Sequence, residues 1–151
     1  MKEYVKIDVS NQIAGRICSF IVKRALMGDN IVVVNCKDAM ISGVKNMVFK
    51  IYLDRDNVKV FSNHAQGPFF PHRPDTFIRH MVWGMMPKGT RGRQAIQRIE
   101  FFIGDIPERI ATKYKIVTQK EYKPASADQK RCSMVSINDI CVRNGWSGKS
   151  G

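Results

Sequence analysis

The fold is decided by residues 4–35, which read YVKIDVSNQIAGRICSFIVKRALMGDNIVVVN. Residues 4–9 alternate between polar and apolar side chains, several of them β-branched, and this alternation predicts a strand. Residues 31–35 form a nearly continuous β-branched run, which is typical of a strand covered on both faces in a parallel sheet. Apolar residues at helical spacing lie between the two, so the stretch predicts strand, helix and strand, a βαβ unit.

The helix of this unit has a recognisable start and end. Apolar residues recur from Ile13 to Ile21 at intervals of four, and polar side chains occupy the opposite face. Ser10 or Asn11 is the expected N-cap, because short polar side chains accept hydrogen bonds from the first amides of a helix. The sequence Gly-Asp-Asn at 28–30 is a turn signal, and we expect the helix to end there.

The rest of the chain predicts further helices and strands separated by loops. The next helix is expected to use Val44, Met47, Val48, Ile51 and Tyr52 as its apolar face. We expect a helix over 44–54, a connection over 57–74, and a second helix that is capped by Asp75 or Thr76 and ends at Pro87. A loop over 88–93, a helix over 94–98 and a strand over 99–103 should follow. The remaining elements are edge segments over 114–122 and 133–144 and a polar linker over 124–131.

Length and composition fit one soluble globular domain with a strong basic excess. The 151 residues are 44% hydrophobic and 25% charged, which excludes collagen, coiled coil and general disorder. The net charge of +12 predicts a polyanionic partner, either nucleic acid or an anionic membrane surface. The first residues lack the apolar core of a signal peptide, and no apolar run is long enough to span a bilayer, so we expect an intracellular protein.

The four cysteines fit a reduced interior. They form no Cys-x-x-Cys pair and have apolar neighbours, as buried thiols usually do. The expected buried thiols are those of Cys18, Cys36, Cys132 and Cys141.

The basic excess lies in the middle of the chain. Residues 37–98 hold eleven basic and four acidic residues, a net charge of +7. Within residues 63–98, five of the six basic residues are arginines, and Asp75 is the one acid. The planar guanidinium makes paired contacts to phosphate and stacks on bases, so this bias favours nucleic acid over a merely solvated charged surface.

The loop over 88–93 is the sharpest candidate anion site. Gly89 and Gly92 would let backbone amides approach a phosphate, and Arg91 or Arg93 would close over it. The alternative is a linker between two helices whose arginines have no ligand.

The three histidines do not resemble a metal site. His64, His72 and His80 are eight residues apart, a spacing that no common zinc motif uses, and no cysteine is near them. We expect them to hydrogen-bond phosphates or stack on bases, with His72 best placed beside Arg73. Trp83 lies one turn after Arg79, which allows a cation contact with its ring as well as ordinary packing.

Enzyme motifs are missing from the sequence. The first strand-to-helix turn has no Gly-x-Gly-x-x-Gly, and neither a Gly-x-Ser-x-Gly nor a His-Glu-x-x-His motif occurs. We therefore expect no catalysis, no cofactor, no metal and no small-molecule substrate.

Two stretches together resemble the large-subunit ribosomal protein family numbered thirteen, the thirteen-a type of eukaryotes. The resemblance covers about two thirds of the chain, from residue 4 to residue 107, and its second stretch is quite specific. The matching residues are Ala14-Gly15-Arg16, the run over 28–35 and Ile41-Ser42-Gly43, and then Pro71-His72-Arg73-Pro74, Arg79 and the run over 84–95. The passage from the turn over 104–107 into a segment ending near Trp146 is similar to the archaeal and eukaryotic branch.

The resemblance implies both a fold and a role. It implies an α/β domain over 1–123, with a mostly parallel central sheet flanked by helices in three layers and a basic loop region. A short C-terminal extension over 124–151 would pack on the core and end in a tail that frays from Gly145. The role is that of a non-catalytic constituent of the large subunit on cytoplasmic ribosomes, in contact with ribosomal RNA and neighbouring ribosomal proteins. Met86 replaces the usual leucine, and the long basic C-terminal helix of eukaryotic members is missing.

Charge and resemblance together predict a set of RNA contacts. The alternatives are an extraribosomal RNA-binding regulatory protein and a nucleotide-dependent enzyme; a membrane role is least favoured, because the basic residues surround a broken loop. The expected contacts are His72, Arg73, Arg79, Lys88, Gly89, Arg91 and Arg93, with Arg16, Lys45 and Arg98 farther out.

Overall fold

A parallel sheet and the helices that pack on it form the protein. The computed structural model describes residues 3–108, 115–116 and 133–148. The strands are β1 (Glu3–Asp8), β2 (Asn30–Val34), β3 (Met40–Ser42), β4 (Ile99–Phe101), β5 (Lys115–Ile116) and β6 (Met134–Ser136), and the helices are α1 (Ala14–Met27), α2 (Lys45–Asn57), α3 (Pro74–Met85), α4 (Thr90–Ile96) and α5 (Ile137–Arg143). Two short 3₁₀ turns span Cys36–Asp38 and His64–Gln66.

The strand order confirms the α/β class with a parallel sheet. Four parallel strands lie in the order β4-β2-β1-β5, and β3 pairs antiparallel with β6 in a second, two-stranded sheet. In the predicted βαβ unit, Val5 lies opposite Ile31 and Ile7 opposite Val33. The strand predicted over 99–103 corresponds to β4, which ends at Phe101.

β2 is covered on both faces, as its sequence predicts. Ile31 and Val33 belong to the main core, and Val32 and Val34, which alternate to the other face, are equally buried. α1 contacts both α3 and α4, and α3 contacts β4. A complete third layer of helices stays a prediction.

The N-cap predicted for α1 is wrong. Ile13 occupies that position without any side-chain hydrogen bond, and Asn11 has a positive φ of 52°. The reason is that the main chain of the preceding turn forms hydrogen bonds to a distant segment of the chain. The Asn11 amide donates to the Asp38 carbonyl at 3.0 Å, and the Gln12 carbonyl accepts from the Met40 amide at 2.8 Å.

The end of α1 agrees with the prediction. Gly28 adopts the left-handed conformation with φ 110°, which glycine reaches at little cost, and its amide donates to the Ala25 carbonyl.

α2 buries only part of the face that its spacing predicts, namely Val48 and the partly buried Tyr52. Val48 and Phe49 are buried, whereas Val44, Met47 and Ile51 are exposed. The helix has apolar residues on two sides, and α5 and β6 pack against it and decide which side is covered. α2 also continues to Asn57, three residues beyond the predicted end.

The starts of α3 and α4 also differ from prediction. α3 begins at Pro74 with Arg73 as its N-cap, two positions before Asp75 and three before Thr76, the two predicted caps, because proline is well suited to the first helical position. Thr76 instead donates its hydroxyl to the Arg73 carbonyl at 3.0 Å. α4 begins at Thr90, four residues earlier than predicted, and ends at Ile96.

Residues 133–148 contribute to the same core as the sheet. Val135, Ile137 and Ile140 are buried in it, and Trp146 packs against it, whereas the sequence predicts a tail that frays from Gly145. The predicted linker over 124–131 and most of the segment over 114–122 lie outside the described residues. The division into a domain over 1–123 and an extension over 124–151 stays a prediction.

Three of the four cysteines are buried thiols, as predicted. Cys18, Cys36 and Cys141 are unpaired and almost inaccessible, and Cys132 lies outside the described residues. Burial raises the pKa of Cys18 and of Cys141 to about 12, and it raises the pKa of Cys36 as well. Over the described ranges, no helix has the length and apolar content needed to cross a bilayer.

Candidate nucleic-acid interface

The predicted glycine-containing loop is largely a helix. Arg91, Gly92 and Arg93 lie in the first turns of α4, and Gly89 is its exposed N-cap. A Cβ atom on Gly92 would overlap the Pro87 carbonyl oxygen. Gly92 therefore allows α4 to pack closely on the preceding turn. The anion site expected at this segment stays a prediction.

Two of the arginines predicted to contact RNA donate hydrogen bonds to the main chain of α1. Arg91 Nη2 donates to the Leu26 carbonyl at 3.4 Å, and Arg98 Nη1 donates to the Ala25 carbonyl at 3.3 Å. The last carbonyls of a helix lack partners within the helix and carry its partial negative charge, so both guanidinium groups stabilise α1.

A third arginine completes this arrangement. Arg24 Nε lies 2.9 Å from Asp29 Oδ2, and both atoms are buried, so the two side chains form an ion pair. We call Arg24, Asp29, Arg91 and Arg98 the α1-end cluster. No sequence pattern indicates this cluster, because Arg24 and Asp29 lie about 60 residues or more from Arg91 and Arg98 along the chain.

A second group of cations lies along α3 and faces solvent. Arg79 and Lys88 are exposed. Arg73, also exposed, donates to Asp75 Oδ2 at 3.1 Å, a surface ion pair of the kind that contributes little to stability. Lys88 Nζ lies 5.4 Å from the centroid of the Trp83 ring, so the cation on Trp83 is Lys88 and not Arg79.

An open groove of about 460 Å³ runs beside these cations. Its walls are mainly aromatic, and Phe69 is 76% exposed. We call this the aromatic groove, and together with Arg73 and Lys88 we call it the α3 face. The groove is lined by Phe69, Phe70, Pro71, Arg79, His80 and Trp83.

Sequence reasoning missed the two phenylalanines of the groove. Phe69 and Phe70 lie in the connection over 57–74, between Pro68 and Pro71, where no periodic pattern assigns them to a core. The available signal was an aromatic pair within an arginine-rich region.

His72 has a partner within the protein. Its Nε2 atom lies 2.8 Å from Asp56 Oδ1, near the end of α2. This contact joins the connection over 58–73 to α2, so His72 positions that segment. His80 contacts the edge of the Phe70 ring at a centroid distance of 5.6 Å.

The remaining predicted contacts lie on other elements. Arg93 is exposed on α4 and Arg16 is exposed on α1. Lys45 is the first residue of α2, with Nζ 5.7 Å from the Phe49 ring centroid. None of these three lines the aromatic groove. Within the described part of the chain, no group of three or more His, Cys, Asp or Glu side chains is arranged to hold a metal ion.

The region that contains both arginine groups is similar in sequence to known proteins. Residues 2–108 match the family described as Ribosomal protein L13. Three archaeal proteins, each named large ribosomal subunit protein uL13, are similar to the chain. The Archaeoglobus fulgidus protein is 40% identical over 109 residues, which is 72% of this chain and 67% of that protein.

The other two show the same range of similarity. The Methanopyrus kandleri protein is 38% identical over 104 residues, 68% of this chain and 64% of that protein. The Methanocaldococcus jannaschii protein is 36% identical over 112 residues, 73% of this chain and 81% of that protein. The matched part thus spans about two thirds of the first two relatives.

Proposed function

The chain belongs to the ribosomal protein L13 family, and on that premise we propose that it is a structural, non-catalytic constituent of the large ribosomal subunit. It binds ribosomal RNA through the α3 face and works on ribosomes in the cytoplasm, beside neighbouring ribosomal proteins. The observation that carries the RNA-binding part is the exposure of Arg79 and Lys88 beside an aromatic groove.

The exposure of each cation and its partners within the protein rank the expected contacts to RNA. Arg79, Lys88 and Arg93 are exposed, and no side-chain ion pair engages them within the described residues. Arg91 and Arg98 already donate to α1 carbonyls, so they contribute positive potential more than direct phosphate contacts. Phosphate contacts by exposed cations supply most of the sequence-independent affinity for RNA.

Sedimentation of the full-length protein with large subunits tests the assignment to the ribosome. We expect stoichiometric retention with the large-subunit peak in sucrose gradients at low and high salt. Release into the soluble fractions at moderate salt would support an extraribosomal RNA-binding protein and overturn the proposal.

The salt dependence of RNA binding tests the α3 face. The variant Arg79→Ala/Lys88→Ala should weaken binding to a large-subunit RNA fragment, and the slope of log K against log salt should become shallower by roughly 0.7 to 0.9 for each lost phosphate contact. The matched control is Lys23→Ala/Lys50→Ala, which removes the same charge from exposed positions outside the predicted contacts. Equal slopes for the two double variants would contradict the assignment of this face.

A further inference from the structure

We propose that the aromatic groove holds one unpaired nucleotide of RNA, whose base stacks on Phe69 and Trp83 while its phosphate pairs with Arg79. This inference rests on the proposed function and specifies the form of RNA that the α3 face recognises. It assigns a role to the connection over 57–74, which the phosphate contacts alone do not explain.

The wall of the groove is already rigid. The Phe70 ring packs against Tyr52 at a centroid distance of 5.6 Å and against Phe77 at 5.5 Å, and Tyr52 and Phe77 are 5.2 Å apart. Phe77 is buried in the core. The groove is therefore built on core packing, and little ordering is needed when a ligand enters it.

The surfaces that face the groove are flat, apolar and available. Phe69 is 76% exposed although it is large and apolar, and Trp83 is only partly buried. Every nucleobase offers a π face, so exposed aromatic rings bind bases with little dependence on sequence. A groove of about 460 Å³ is in the range of sites that hold small planar ligands.

The charge beside the groove selects a nucleotide over an apolar peptide. Arg79 lines the groove, and the Lys88 ammonium lies 5.4 Å from the Trp83 ring centroid. A nucleotide offers a planar base and an anionic phosphate a short distance apart, which matches aromatic rings beside cations. The paired bases of a duplex are stacked on one another, so a duplex offers phosphates without an available base face.

Fluorescence of the full-length protein tests the stacking. Trp83 and Trp146 are the two tryptophans of the chain, so a Trp146→Phe background makes Trp83 the reporter. We expect a ten-nucleotide oligoadenylate to quench Trp83, and we expect an RNA duplex or inorganic polyphosphate of equal charge to leave its emission nearly unchanged. Quenching by all three probes alike, or by an acidic peptide of ten glutamates, would overturn the inference.

A matched pair of phenylalanine variants gives the second test. Phe69→Ala should weaken oligoadenylate binding about fivefold to a hundredfold, the range measured for the loss of one stacked base. Phe61→Ala is the control, because Phe61 is 94% exposed in the same connection and does not line the groove. Equal affinities for the two variants would overturn the stacking role.

The two proposals fail in different ways. If the groove is wrong and the proposed function is right, both phenylalanine variants keep the affinity of the original protein, and the salt slope still responds to Arg79→Ala/Lys88→Ala. If RNA binding through this face is wrong, that double variant leaves the salt slope unchanged.

Discussion

The α1-end cluster and the α3 face both depend on arginine, but they use its charge differently. At the end of α1, Arg91 and Arg98 donate to main-chain carbonyls, 65 and 73 residues away in the sequence. Along α3, Arg79 and Lys88 are exposed beside an aromatic groove. The first group therefore stabilises the fold, and the second remains available to a partner.

A count of charges along the sequence does not distinguish these two groups of cations. Residues 63–98 read as one basic region, yet the fold divides its cations into those that bind its own backbone and those that do not. Variants at the two groups should accordingly separate stability from RNA affinity.

The largest effect is expected where α4 packs on the turn before it. Gly92→Ala places a methyl group against the Pro87 carbonyl, and overpacking of this kind lowers the free energy of unfolding by about 1 to 3 kcal/mol. Urea unfolding measures it. The control Gly84→Ala lies in α3 with no heavy atom within 4 Å of the added carbon, and should stabilise the protein by up to about 1 kcal/mol. Equal unfolding free energies for the two variants would show that α4 is not closely packed.

A smaller effect is expected when one arginine of each group is removed. Arg98→Ala should lower the free energy of unfolding by about 1 kcal/mol, because the Ala25 carbonyl and the negative end of α1 lose a cationic donor. Arg79→Ala should change it by less than about 0.5 kcal/mol, since Arg79 is exposed. The loss of RNA affinity should be larger for the arginine of the α3 face than for Arg98. If the same variant caused the larger loss in both measurements, the two groups would not have separate roles.

The smallest effect concerns an acidic residue that the fold uses. Partial burial acts to raise the pKa of Asp8, but hydrogen bonds from the Ser10 amide and the Asn35 side chain, together with the charge of Lys6, outweigh it and lower that pKa below its ordinary value of 3.8. A lowered pKa in the folded state means that the contribution to stability is present above pH 3.8 and is lost as the pH falls through the folded-state value.

The test is the free energy of unfolding between pH 3 and pH 6, roughly the range over which carboxylates titrate. Because Asp8 is largely exposed and solvent screens its charge, we expect it to contribute less than about 0.5 kcal/mol to the free energy of unfolding. Asn35→Gly removes one donor and still permits the positive φ of 59° at that position, so it should reduce the pH dependence. An unchanged pH profile in Asp8→Asn would assign the dependence to other groups.

Local patterns predicted the parts of the fold that local physics decides. The β-branched run at β2, the helical spacing of α1 and the glycine at its end predicted the βαβ unit and the end of its helix, although not the start. The covered face of α2 was not predictable in the same way, because Val44 and Val48 are both apolar and only packing against α5 and β6 selects between them.

The candidate site was predicted in part for the same reason. The sequence indicated a basic region suited to RNA, but the acceptors of Arg91 and Arg98 lie in a helix remote from them in sequence. Glycine content favoured a loop over 88–93, whereas Gly92 is required in a helix by the nearby Pro87 carbonyl. Tertiary contacts outweighed intrinsic propensity at both places.

The pairing of β2 with β4 also limits how early the sheet can assemble during synthesis of the chain. Ile31 lies opposite Ile99, so α2, α3 and α4 form one long loop between two hydrogen-bonded strands. A growing chain forms β1, α1 and β2 early, but β4 is added only after residue 99 has emerged. Since closing such a loop costs entropy that its contacts repay only when both strands are present, we expect β4 to pair with β2 in a later, non-local step, with β5 still to be added at the other edge of the sheet.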